Sequence, residues 1–100
     1  MVRVVNRHAY TGTGTYVGRP GVFGNPYVIG KHGDRAQVIE KYREWLRREW
    51  KNGCEVKQEL LKLVAQAKSG DLTLICSCKP LGCHGDVLKD VIETLVAKGY

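Results

Sequence analysis

No run of apolar residues approaches the ~20 needed to cross a bilayer, and the opening Met1-Val2-Arg3-Val4-Val5-Asn6-Arg7 lacks the long apolar core of a secretory signal. A cytoplasmic protein that does not enter a membrane is therefore expected. A second domain does not fit into 100 residues, which suffice for one hydrophobic core burying roughly 60 to 70 % of the surface the unfolded chain exposes. Both nucleotide-loop fingerprints are missing too. Gly12-Thr13-Gly14 followed by Gly18 has the glycine content of a phosphate loop, but the pattern starts no helix there and no Gly-Lys-Ser or Gly-Lys-Thr ending follows. A hairpin turn is the simpler expectation. Cysteine is sparse, with four in all, and three of them (Cys76, Cys78, Cys83) fall within eight residues. That clustering suits thiol chemistry or metal better than a disulfide framework.

What is present is an ordinary globular balance, 43 % hydrophobic and 26 % charged, which excludes disordered and fibrous classes. The net charge of +6 is uneven. Residues 1–53 hold ten Lys/Arg against four Asp/Glu, whereas residues 54–100 hold six of each. A basic amino-terminal half points to phosphate-bearing partners, because positive potential concentrates anions; a merely solubilising surface accounts for the same charge equally well.

Periodicity divides the chain into elements. Val2 to Val5 and Thr15 to Val17 are short β-branched runs joined by the glycine-threonine turn. Gly18 to Tyr27 carries three glycines and two prolines, which rules out regular helix or central strand and leaves an ordered irregular loop. From Asp34, a good N-cap, the positions Val38, Ile39, Tyr42, Trp45, Leu46 and Trp50 follow helical spacing to Asn52-Gly53, with Glu44 and Arg48 set for an i,i+4 pair. A second helix runs from about Glu55 to Ala67. Leu72 to Ser77 is the strongest strand, its apolar run suggesting a central position and burial on both faces. A last helix begins near His84 to Asp86 and closes at Lys98-Gly99. The fold class expected is a small single α/β domain over residues 1–100. Its sheet is mostly parallel and its layering Rossmann-like, in two or three layers, with three helices.

A buried strand that feeds a helix through a glycine-containing loop brings backbone N–H groups and the positive helix end to the carboxyl edge of the sheet, where open α/β sheets bind ligands. Here that turn is Cys76-Ser77-Cys78-Lys79-Pro80-Leu81-Gly82-Cys83-His84-Gly85-Asp86. Cys76 and Cys78 share a strand face, and a thiol beside a helix start, Lys79 and His84 should ionise readily, which makes Cys78 and Cys83 candidate nucleophiles. His84 and Asp86 form a candidate acid/base pair. Cys78 and His84 stand as far apart as nucleophile and cation in thiol phosphatase loops, but a histidine does not clamp two phosphate oxygens as arginine does. The same turn offers an alternative zinc set in Cys76, Cys78, Cys83 and His84, although adjacent Cys83 and His84 would have to turn toward one ion. The plainest alternative makes the cysteines small buried hydrophobes and His84 or Asp86 a helix cap; His8 and His32 then belong to exposed loops and Cys54 to helix-start packing. Arg19, between Gly18 and Pro20, loses little entropy in binding an anion, and Asn25 before Pro26 can present its amide.

The blocks Tyr16-Val17-Gly18-Arg19-Pro20, Phe23-Gly24-Asn25-Pro26-Tyr27, Tyr42-Arg43-Glu44-Trp45-Leu46 and Cys76 to Leu88 resemble the domain-of-unknown-function family numbered 4326, over about residues 14–96. That family occurs in bacteria, archaea and many bacteriophages and implies no particular reaction. The last block is also similar to the Cys-His-Arg turn of a family numbered 488, with Gly85 standing where that family has arginine. The resemblance implies a two-part site, in which the Gly18 to Tyr27 loop folds over the Cys76 to Asp86 turn and joins Arg19 and Asn25 to Cys78, His84 and Asp86.

Two functions are thus expected in order. The first is a small-ligand site for a nucleotide, nucleoside or other phosphate-bearing molecule, with Gly18, Arg19, Asn25 and Gly85 as binding positions, no cofactor, and catalysis left open. The second is a basic nucleic-acid-binding accessory protein that uses Arg43, Arg47, Arg48 and Lys51, with the cysteine turn structural or filled by zinc.

Overall fold

The computed structural model describes residues 2–8, 10, 12–18, 23–27, 29–53, 55–76 and 84–100. Its elements run β1 (Val2–Asn6), β2 (Thr15–Tyr16), α1 (Arg35–Asn52), α2 (Glu55–Ser69), β3 (Leu72–Cys76) and α3 (His84–Ala97). The sheet has the order β1-β3-β2, and β3 pairs in parallel with both neighbours. The last strand in sequence therefore fills the centre. Its register sets Asn6 beside Cys76 and Tyr16 beside Ile75, and the ladder continues where Arg7 N donates to Cys76 O and Val17 N to Ile75 O.

This order corrects the expected hairpin. β1 and β2 are parallel and separated by β3, so the residues between them cross over to the far edge of the sheet. Gly14 permits that crossing: a Cβ there would lie 2.9 Å from the Thr73 carbonyl oxygen and 3.0 Å from the Ile75 Cδ1.

Burial along β3 alternates, with Leu72, Leu74 and Cys76 buried and Thr73 and Ile75 half-buried. The expected burial on both faces is thus corrected, since a strand covered by helices on one side needs apolar residues only at alternate positions. Val2, Val17, Leu72, Leu74 and Cys76 share one core with the buried sides of the helices. On the other face Arg3 and Tyr16 are exposed and Val5, Thr73 and Ile75 half-buried, so among the described residues the layering is helices on one side of a sheet.

The helices form where capping and apolar spacing agree. Asp34 accepts from Gln37 N while the Gln37 side chain accepts from Asp34 N, satisfying two donors that a helix start would leave unpaired. Val38, Tyr42 and Leu46 are the buried stripe of α1, with Ile39, Trp45 and Trp50 packed at its border. Gly53, at φ 69°, closes the helix in the left-handed conformation. Val56, Leu60, Leu63 and Val64 bury α2, and Val87, Leu88, Ile92 and Leu95 bury α3. Among the described residues no helix is long and apolar enough to cross a membrane.

Candidate functional site at the carboxyl edge of the sheet

The ends of the strands and the start of α3 meet at one edge. His84, the first residue of α3, is 8 % exposed, and its Nε2–H donates to the carbonyl of Val17, just past β2. A carbonyl can only accept, so the proton of that bond sits on Nε2. Tyr42 on α1, fully buried, lays its ring against the His84 ring with centroids 5.0 Å apart in an edge contact. Its hydroxyl donates to the Phe23 carbonyl at 2.8 Å. The loop expected between Gly18 and Tyr27 is thereby held at two points: Val17 leads into it, Phe23 lies within it, and both connect to His84 directly or through Tyr42.

The remaining described candidates divide. Gly18 is buried against the Tyr16 hydroxyl, which a Cβ at this position would overlap. Gly85 is buried in the first turn of α3, and Asp86, half-buried in the same turn, places its carboxylate at the favourable positive end of the helix dipole. Asn25 turns inward: at 8 % exposure its Oδ1 accepts from Tyr27 N at 2.9 Å and its Nδ2 donates to Val38 O at 3.4 Å. That geometry ties the loop to the start of α1. Cys76 is fully buried among the core residues. Arg19, Cys54, Cys78 and Cys83 lie outside the described residues, and of the alternative zinc set only Cys76 and His84 are described.

The basic residues of α1 do not form one free patch. Arg43 Nη1 pairs with Asp90 of α3 at 2.9 Å and its Nε lies 4.0 Å from Glu40. Arg48 reaches the Tyr27 hydroxyl at 3.2 Å in place of the expected Glu44 pair. Arg47 and Lys51 are exposed.

Two features escaped the sequence reading. Tyr42 counted as a core position, yet a tyrosine on the buried side of a helix needs a partner for its hydroxyl, and that requirement was the available signal. Arg7 and Tyr16 also meet at this edge, Arg7 Nη1 donating to the Tyr16 hydroxyl at 3.3 Å. No local pattern predicts that pairing, because it depends on β3 standing between β1 and β2.

The family model described as domain of unknown function (DUF4326) matches residues 3–94. The chain is 32 % identical over 75 residues to an "Uncharacterized 12.4 kDa protein in nrdA-td intergenic region" of Enterobacteria phage T4, a match that covers 75 % of this chain and 64 % of that relative. No solved structure matches significantly.

Proposed function

We propose that this chain, which belongs to the family of DUF4326 domains, is a small-ligand-binding protein for a nucleotide, nucleoside or other phosphate-bearing molecule, its site formed by the Gly18 to Tyr27 loop and the Cys76 to Asp86 turn. The observation that carries this reading is the chain of contacts from Val17 to His84, from His84 to Tyr42 and from Tyr42 to Phe23. Those contacts tie the start and the middle of the loop to the amino end of α3, at the carboxyl edge of a parallel sheet, the place where such sheets hold ligands. Arg19, within that loop in sequence, is the cation proposed to meet the anionic group, and the first turn of α3 supplies the positive end of a helix dipole.

His84 enters this reading as a positioning residue, since its Nε2–H is already used by a backbone carbonyl. Binding rather than catalysis is accordingly the function proposed. A cytoplasmic setting, which keeps thiols reduced, fits the same reading. The alternative of a nucleic-acid surface on α1 is less favoured, because Arg43 and Arg48 are engaged by Asp90 and Tyr27.

Replacing Arg19 by Ala tests the proposal. Calorimetric titration with inorganic phosphate and nucleoside monophosphates should show binding to the parent protein and its loss in Arg19→Ala, with unchanged thermal unfolding. Equal affinity in the two proteins would refute the assignment.

A further inference from the structure

We propose that the sheet face opposite the helices is a docking surface for single-stranded nucleic acid, centred on two arginine–tyrosine stacks. This inference uses neither Arg19 nor the cysteine turn, although Arg7 and Tyr16 reach the sheet edge that carries the small-ligand site.

Arg3, Val5, Tyr16, Thr73 and Ile75 point to this face, because each is paired in register with the others and alternates with the core residues. The Arg3 guanidinium lies over the Tyr10 ring, 5.2 Å from its centroid, and donates to Thr73 Oγ1 at 3.0 Å and to the Tyr10 hydroxyl at 3.2 Å. Tyr10 is itself fixed, donating to Thr13 O at 2.8 Å. Arg7 repeats the arrangement: its guanidinium lies 5.4 Å from the Tyr16 centroid and donates to that hydroxyl. Tyr16 remains 39 % exposed.

Each guanidinium carries five donors, of which these bonds use two on Arg3 and one on Arg7. Both are already held by these bonds before any ligand arrives, so little side-chain entropy is lost when the remaining donors meet a phosphate. Arg3 lies within β1 and Arg7 is the residue just past its end.

Charge and shape select the occupant. Residues 1–33 contain no Asp or Glu, so no acid of β1, β2 or their connection opposes a polyanion. Asp71, just before β3, lines a hollow of about 370 Å³ beside Tyr10 and Thr73 and marks the end of the cationic surface. Aromatic and guanidinium planes accept unstacked bases, which a single strand offers and a duplex keeps inside. The requirement for base faces separates this partner from an acidic peptide.

Fluorescence anisotropy with a labelled oligo(dT) strand across a potassium chloride titration tests the proposal. The full chain should bind with an affinity that falls as salt rises. Arg3→Ala/Arg7→Ala should weaken binding at least tenfold and flatten the log-log salt slope by about 1.4, at roughly 0.7 per phosphate contact. Tyr16→Leu should weaken it roughly 5- to 150-fold, while Tyr16→Phe, which keeps the stacking plane, should retain most of it. Far-UV circular dichroism checks that each variant folds, and if the double variant does not, the comparison of Tyr16→Leu with Tyr16→Phe decides. Three results would overturn the proposal: no oligo(dT) binding at low salt, equal competition by unlabelled duplex, or loss in Arg47→Ala/Lys51→Ala with none in the sheet-face variants. Failure here leaves the inorganic-phosphate arm of the Arg19→Ala titration unaffected, because inorganic phosphate has no base to stack.

Discussion

The rings of Tyr42 and His84 meet edge to face with centroids 5.0 Å apart, and between them the two residues hold the loop that follows β2 at two points. Tyr42 donates to Phe23 O and His84 to Val17 O, and both side chains are buried. Tyr42→Phe keeps the ring and removes only the donor, leaving a carbonyl without its partner in a dry place. We expect a loss of about 1–3 kcal/mol in urea denaturation and faster hydrogen exchange at residues 23–27. His84→Phe should cost a similar amount but speed exchange around Val17 and Gly18 instead. Uniform exchange in both variants would show that the two contacts do not anchor the loop.

Gly14 gives a prediction about topology. A methyl group there meets the Thr73 carbonyl oxygen, which belongs to the central strand and cannot swing aside as a side chain does. Gly14→Ala should therefore lower the unfolding free energy by about 1–3 kcal/mol. The same substitution at Gly70, where a Cβ meets nothing within 4 Å, should be close to neutral. Equal effects at the two positions would contradict the crossover path over β3.

Much of this fold was legible because local and global signals coincide. Asp34 with Gln37, the spacing of Val38, Tyr42 and Leu46, and the glycine at 53 mark α1 without any tertiary knowledge. Leu72 to Cys76 announced the central strand, and the interval with two helices before it announced the parallel sheet. What stayed hidden depends on distant partners. β2 is only two residues long and finds its register on β3, far along the chain, so its neighbour looked like β1 across a short turn. Thr73 and Ile75 sit on a face that, among the described residues, has no helix over it, which a run of Leu, Ile and Thr does not reveal. At the site, His84 was singled out by its neighbours in sequence, whereas its bond to Val17 joins residues 67 positions apart.

Cys76 tests where the sulfur chemistry lies. Its side chain is fully buried in the core, so under native conditions iodoacetamide should leave it unmodified until the protein unfolds. Cys76→Ser should destabilise by about 1–3 kcal/mol, since the hydroxyl enters an apolar site. Rapid labelling of Cys76 in the folded protein, read by mass spectrometry of the digested chain, would mean that the end of β3 opens to solvent.

The central claim is a phosphate-bearing ligand at the edge where the β2 exit meets the start of α3. Its most direct test is an NMR titration of the isotope-labelled full chain with inorganic phosphate and then with nucleoside monophosphates. The account predicts saturable shifts concentrated on the amides of Val17, Gly18, His84, Gly85 and Asp86, with little change at Gly70 and Asp71 at the opposite end of β3. No saturable shift with any of these probes, or shifts centred away from His84, would contradict it.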